Sequence, residues 1–109
     1  MSDRELLEWA AKAAGYKHTQ WARYSSLVDW GVCTIDGIWN PLTDDGDALR
    51  LAVKLGMNFH TGYRHVSAEI LSDSDEPSIL ITMRHTDGDE FAATRRVIVG
   101  AAAEIGRTM

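Results

Sequence analysis

The chain has 109 residues, of which 45% are hydrophobic and 25% charged, with a formal net charge of −5. A chain of this length makes a single domain that buries roughly 60–70% of the surface its unfolded form exposes. No disulfide or metal staple is required, and the acidity argues against a surface that works by neutralising nucleic-acid phosphates.

Cys33 is the only cysteine, so no intramolecular bridge can form. A reducing cytoplasmic compartment is the economical expectation. Asp3, Arg4 and Glu5 break any apolar run near the start, and no secretory leader is expected. The apolar stretches also fall far short of the ~20 residues that span a bilayer.

In chain order, residues 3–14 read as an amphipathic helix. Ser2 or Asp3 can cap it, Glu5 lies in the first turn, and Leu6, Leu7, Ala10, Ala13 and Ala14 recur at helical spacing before Gly15. Residues 16–30 show no clean period. Tyr16, Trp21, Tyr24 and Trp30 alternate with polar residues, with a short strand expected near Leu27 and Val28. Such aromatics can line a ligand groove or form a satellite core under a loop.

Val32–Ile35, then Asp36-Gly37, then Ile38-Trp39 carry the signal of a two-residue hairpin. Asn40-Pro41 ends the second strand. Thr43 or Asp44 caps a second helix that runs to about Leu55, with a broad face of Ala48, Leu49, Leu51, Ala52, Val53 and Leu55, and Gly56 stops it.

Met57–Thr61 is a short extended piece. Tyr63–Leu71 and Ser78–Thr86 alternate as strands, with Val66, Ala68, Ile70 on one face and Ile79, Ile81, Met83 on another. The acidic segment 72–77 joins them as an exposed loop. Asp87-Gly88-Asp89 turns the chain into a last helix from about Glu90 to Ile105. Its stripe is Phe91, Thr94, Ile98, Ala101, Ala102 and Ile105, and Gly106 ends it. The implied fold class is α/β (α+β): a small, mainly antiparallel sheet of 3–5 strands covered by three one-sided helices.

Chemistry is sparse. Asp44, Asp45 and Asp47 could hold a hard cation, but they lack the alternation and distal glutamate of a calcium loop, and acids also suit the positive end of a helix. His18, His60, His65 and His85 fall on different strands or faces and make a poor zinc set. Neither a nucleophile elbow nor a glycine-rich phosphate loop is present. Arg84 and Arg95, with Arg64 and Arg96, could form a basic spot that receives a phosphate or carboxylate, although a solvated face explains them as well. No cofactor and no metal are implied.

The layout resembles the small alpha-beta-alpha sandwich proteins of tailed phages and prophages, including the NinX-like group. Three features carry the likeness: the Gly15-Tyr16 pair that ends the first helix, the aromatic-Asn-Pro turn leading into an acidic, alanine-containing helix over Trp39–Leu55, and the alanine-rich pattern of Ala93–Ala103. The match is specific over Trp39–Gly56 and Ala92–Gly106, whereas residues 17–31 depart from it. It implies a phage or prophage origin and an early or accessory role, and it names no reaction; the expected place of action is the bacterial host cytoplasm.

The favoured expectation is a non-enzymatic protein acting by contact with a host or phage protein, without direct nucleic-acid binding. Exposed Trp21, Trp30 or Trp39 would be the anchors, and the acidic 72–76 loop with Asp44 and Asp45 would steer it toward a basic partner. The alternative is a small-ligand or nucleotide binder, possibly an enzyme, that uses an aromatic-lined cleft with Arg84 or Arg95 on an anionic group. A homodimer through Ala101, Ala102 and Ala103 of the last helix is a third possibility.

Overall fold

The computed structural model describes residues 1–17, 19–22, 30–35, 37–62, 64–70, 79–84 and 89–109. Its elements are α1 (Asp3–Ala13), β1 (Gln20–Ala22), β2 (Gly31–Thr34), β3 (Gly37–Trp39), α2 (Asp45–Lys54), β4 (Asn58–Thr61), β5 (His65–Ile70), β6 (Ile79–Arg84) and α3 (Glu90–Thr108). The mixed α/β class follows the sequence reading. The strands, however, form two antiparallel three-stranded sheets, β1-β2-β3 and β4-β5-β6, rather than one common layer. The strand expected at Leu27 and Val28 and the acidic loop 72–77 lie outside the described residues.

Helix ends are set locally. Ser2 accepts from the Glu5 amide at 3.2 Å, and Asp89 accepts from the Ala92 amide at 3.0 Å, so α1 and α3 each satisfy an orphan N–H at their start. α1 and α2 finish alike. Tyr16 donates back to the Ala11 carbonyl and Met57 to the Ala52 carbonyl, across Gly15 (φ 89°) and Gly56 (φ 63°). A residue with a Cβ is strained at that dihedral, which is why glycine punctuates both helices.

The β2–β3 hairpin forms, but Thr34 pairs with Gly37, one step from the expected register, and Ile35 is left almost fully exposed. Thr34 Oγ1 donates to the Gly37 carbonyl at 2.9 Å and holds this closer pairing. In the second sheet the expected alternation holds. Val66 pairs with Met83, Ala68 with Ile81 and Ile70 with Ile79, so all six share one face. That face packs on α3. β4 pairs along β5, placing Phe59 beside Ala68 and Thr61 beside Val66 on the sheet's edge.

The main departure is α3. Its expected single stripe omitted Val97, Val99 and Ala103, all of which are buried along with Ala93, Ile98, Ala101 and Ala102. A helix apolar around most of its circumference is an enclosed helix. Accordingly α3 packs on the second sheet, on α1 and on α2, and the three helices do not clamp a shared layer. Because Ala101, Ala102 and Ala103 are all fully buried inside the chain, they are not open to a symmetry mate. Gly106 does not stop α3, which continues to Thr108. It is instead where the backbones of α3 and α1 meet, at Trp9.

Candidate functional site

The turn before α2 organises the site. Asn40 is the buried polar side chain among the described residues. Its Nδ2 donates to the Trp30 carbonyl at 2.6 Å, and its Oδ1 accepts from the Leu42 amide at 3.0 Å. Its own amide donates to Asp47 at 2.9 Å. The Asn-Pro turn is therefore tied both to the β2 entry and to the first turn of α2.

The acidic trio divides its work. Asp44 caps α2 by accepting from the Asp47 amide at 2.8 Å. Asp45 pairs with Arg95 at 2.5 Å, which links α2 to α3. Asp47 receives the Asn40 amide on one oxygen and Arg50 on the other, the latter at 2.8 Å. That hydrogen bond to Asp47 is the main cause raising the Arg50 pKa above its ordinary value. Each carboxylate thus has a protein partner, and no group of three or more His, Cys, Asp or Glu is arranged to hold a metal among the described residues. Replacing Asp44 with alanine is expected to cost about 1 kcal/mol in thermal or urea unfolding, and Asp44→Ser to restore most of it. Equal losses for both variants would show that capping is not the role of Asp44.

The remaining candidates do not converge. Trp39 is buried and meets Tyr16 edge-on, ring centroids 5.5 Å apart, so it is not an exposed anchor. Trp21 and Trp30 stack at 6.2 Å and 8°, with Trp21 partly buried against the core, Trp30 exposed and the Arg4 guanidinium over the Trp21 ring. Arg84 is exposed on the second sheet, where its Nε approaches His65 at 3.4 Å. Arg95 donates to the Leu42 carbonyl as well as to Asp45, and Arg96 pairs with Asp3 on α1. Arg95 and Arg96 are thus engaged by separate carboxylates, and Arg84 lies apart from them on the second sheet.

Two concavities flank α2. One is a groove of about 370 Å³ over the first half of α3, between α2 and the β4 edge. Its walls are Ala48 and Leu49 from α2, Phe59 from β4, and Phe91, Thr94 and Ile98 from α3. Leu49 is 53% exposed, Phe59 42% and Phe91 69%, although the sequence pattern assigned Leu49 and Phe91 to core stripes. Asp45, Glu90 and Arg95 supply its charged lining. The other concavity, about 380 Å³, lies across α2 and takes in Tyr16, Thr34, Trp39, Arg50 and Lys54. The spacing 91, 94, 98 is legible as one helical face, but nothing local to it shows that its outer end lies open.

No family model, no curated protein and no solved structure matches the chain. No helix among the described residues is long and apolar enough to cross a membrane.

Proposed function

We propose that this chain is a non-enzymatic accessory protein of phage or prophage type, acting in the host cytoplasm by contact with another protein, and that the α2–α3–β4 groove is its contact surface. The apolar groove carries this reading. Three large side chains, Leu49, Phe59 and Phe91, stand in water around an almost wholly apolar slot. Grouped exposure of that kind marks interaction sites far more than scattered single residues do.

The occupant that fits is an amphipathic helix with an apolar ridge and basic flanks. Ile98 and Thr94 form a floor along one α3 face, suited to a ridge of side chains spaced a helical turn apart. Of the charged lining, Arg95 is engaged by Asp45, which leaves Glu90 as an acid on the slot in a protein of net charge −5. Complementary charge of that sign speeds encounter and excludes acidic partners.

A photoreactive amino acid at position 91, used in bacterial cytoplasm, tests the proposal. The expected adduct maps to a basic amphipathic helix of a partner and disappears when Leu49→Glu and Phe59→Glu are introduced together. Those positions are already exposed, so the double variant keeps its fold by circular dichroism. Adducts that persist in the double variant, or that map to acidic or unstructured segments, would count against the groove.

A further inference from the structure

We infer that the cleft on the opposite flank of α2 is a binding site for a small organic anion, a carboxylate or phosphate ester carried on a flat apolar body. This site is independent of the groove: α2 gives Asp45, Ala48 and Leu49 to one flank and Asp47, Arg50, Leu51 and Lys54 to the other. Tyr16 and Trp39 line this cleft, and the cations beside them are Arg50 and Lys54 rather than Arg84 or Arg95.

The cleft pairs two chemistries. Its inner wall is apolar: Leu51 and Ala14 are buried there, with Ile38 and the remaining edge of Trp39 beside them. Tyr16 stands against Trp39 edge-on, so the two rings form a corner rather than a closed stack. A flat body lying against such a corner gains contact area while little side-chain freedom is lost.

Its rim is cationic. Arg50 and Lys54 lie one helical turn apart and both line the opening. Asp47 also lines it, but its two oxygens already receive the Asn40 amide and the Arg50 guanidinium. Arg50 spends one terminal nitrogen on that pair, and a guanidinium carries five N–H donors in all. The Lys54 ammonium sits over the Tyr16 ring, 5.6 Å from its centroid, and has no carboxylate partner among the described residues. Of the lining residues, Arg50, Lys54 and Asp47 together carry one net positive charge, while Asp44, outside the lining, also acts on Arg50. In a protein of net charge −5, that local sign favours an anion.

The test is amide and indole chemical-shift mapping of the full chain with phenyl phosphate, benzoate and inorganic phosphate as separate probes. Phenyl phosphate or benzoate is expected to shift the Trp39 indole N–H and the amides of Thr34, Leu51 and Lys54 saturably. Inorganic phosphate alone, lacking the apolar body, binds more weakly. Lys54→Met keeps the stem and removes the charge, and Arg50→Gln keeps a polar side chain. Each is expected to weaken binding about tenfold while the spectrum stays dispersed. The inference is overturned if neither aromatic probe saturates by about 10 mM, if the shifts centre on Phe59 and Phe91, or if both variants bind as tightly as the parent. Failure here leaves the groove crosslinks unaffected, so the two sites are judged separately.

Discussion

Gly106→Ala is expected to destabilise the protein although it removes a glycine from a helix. Intrinsic propensity alone predicts a gain of about 1 kcal/mol. Packing predicts the reverse. A methyl group at 106 would collide with the Trp9 carbonyl oxygen and would come within 2.7 Å of its carbonyl carbon. Those are backbone atoms of α1, so no rotamer change can relieve the overlap and the two helices must separate. Overpacking of this kind costs about 3 kcal/mol. The net loss is then about 2 kcal/mol, and the melting temperature falls by roughly 10 °C.

Gly100 provides the control on the same helix. A methyl group there would meet Ile81 Cγ2 at 3.5 Å, an ordinary van der Waals contact. Gly100→Ala is therefore expected to stabilise by about 0.4–1 kcal/mol. Opposite signs for the two substitutions, read by thermal or urea unfolding, establish the α1–α3 crossing. If both variants gain stability, the helices do not approach at Gly106 and the packing described here is wrong. The same close approach explains the alanines on both helices. Ala10 and Ala11 on α1, Ala14 at its C-terminal cap, and Ala101, Ala102 and Ala103 on α3 are buried, and small side chains set a short interaxial distance.

The second large effect is expected at Asn40. Asn40→Ala removes the bonds to the Trp30 carbonyl and the Leu42 amide in one step. Each buried bond lost with its partner left in place costs about 1–3 kcal/mol, so a loss of about 3 kcal/mol is expected. Function should follow stability. The turn sets where α2 begins, and α2 forms one wall of both the groove and the cleft. Hydrogen exchange is the sharper readout, since the amides of Leu42 through Asp47 should lose protection before those of α3 do. A loss under about 0.5 kcal/mol with unchanged exchange would mean that the Asn-Pro turn is held by other contacts.

Much of the fold is legible in the amino-acid order because its signals are short-ranged. The segment Trp39–Gly56 announces a strand end, a turn, a cap and a helix stop, and Asp44 and Gly56 take up those roles. Strand alternation at Val66, Ala68, Ile79, Ile81 and Met83 likewise survives in the pairing register. The candidate sites were less readable. Trp39 has the side chain of an interface anchor yet points into the core, whereas Leu49 and Phe91 have the spacing of core residues yet stand in solvent. Arg50 and Lys54 read as an ordinary polar helix flank until Tyr16 and Trp39 are brought alongside.

The chain order by itself determined where the helices start, where α1 and α2 stop, and which strand faces are apolar. Those outcomes depend on residues within about four positions of one another, where caps, turns and periodicity act. Tertiary structure alone decided that the strands divide into two sheets, that α3 is enclosed, and that Gly106 is a contact point rather than a stop. It also decided which apolar side chains stay wet. An apolar face is written in sequence, but what covers it is a distant element, and over Phe91 the chain supplies none among its described residues.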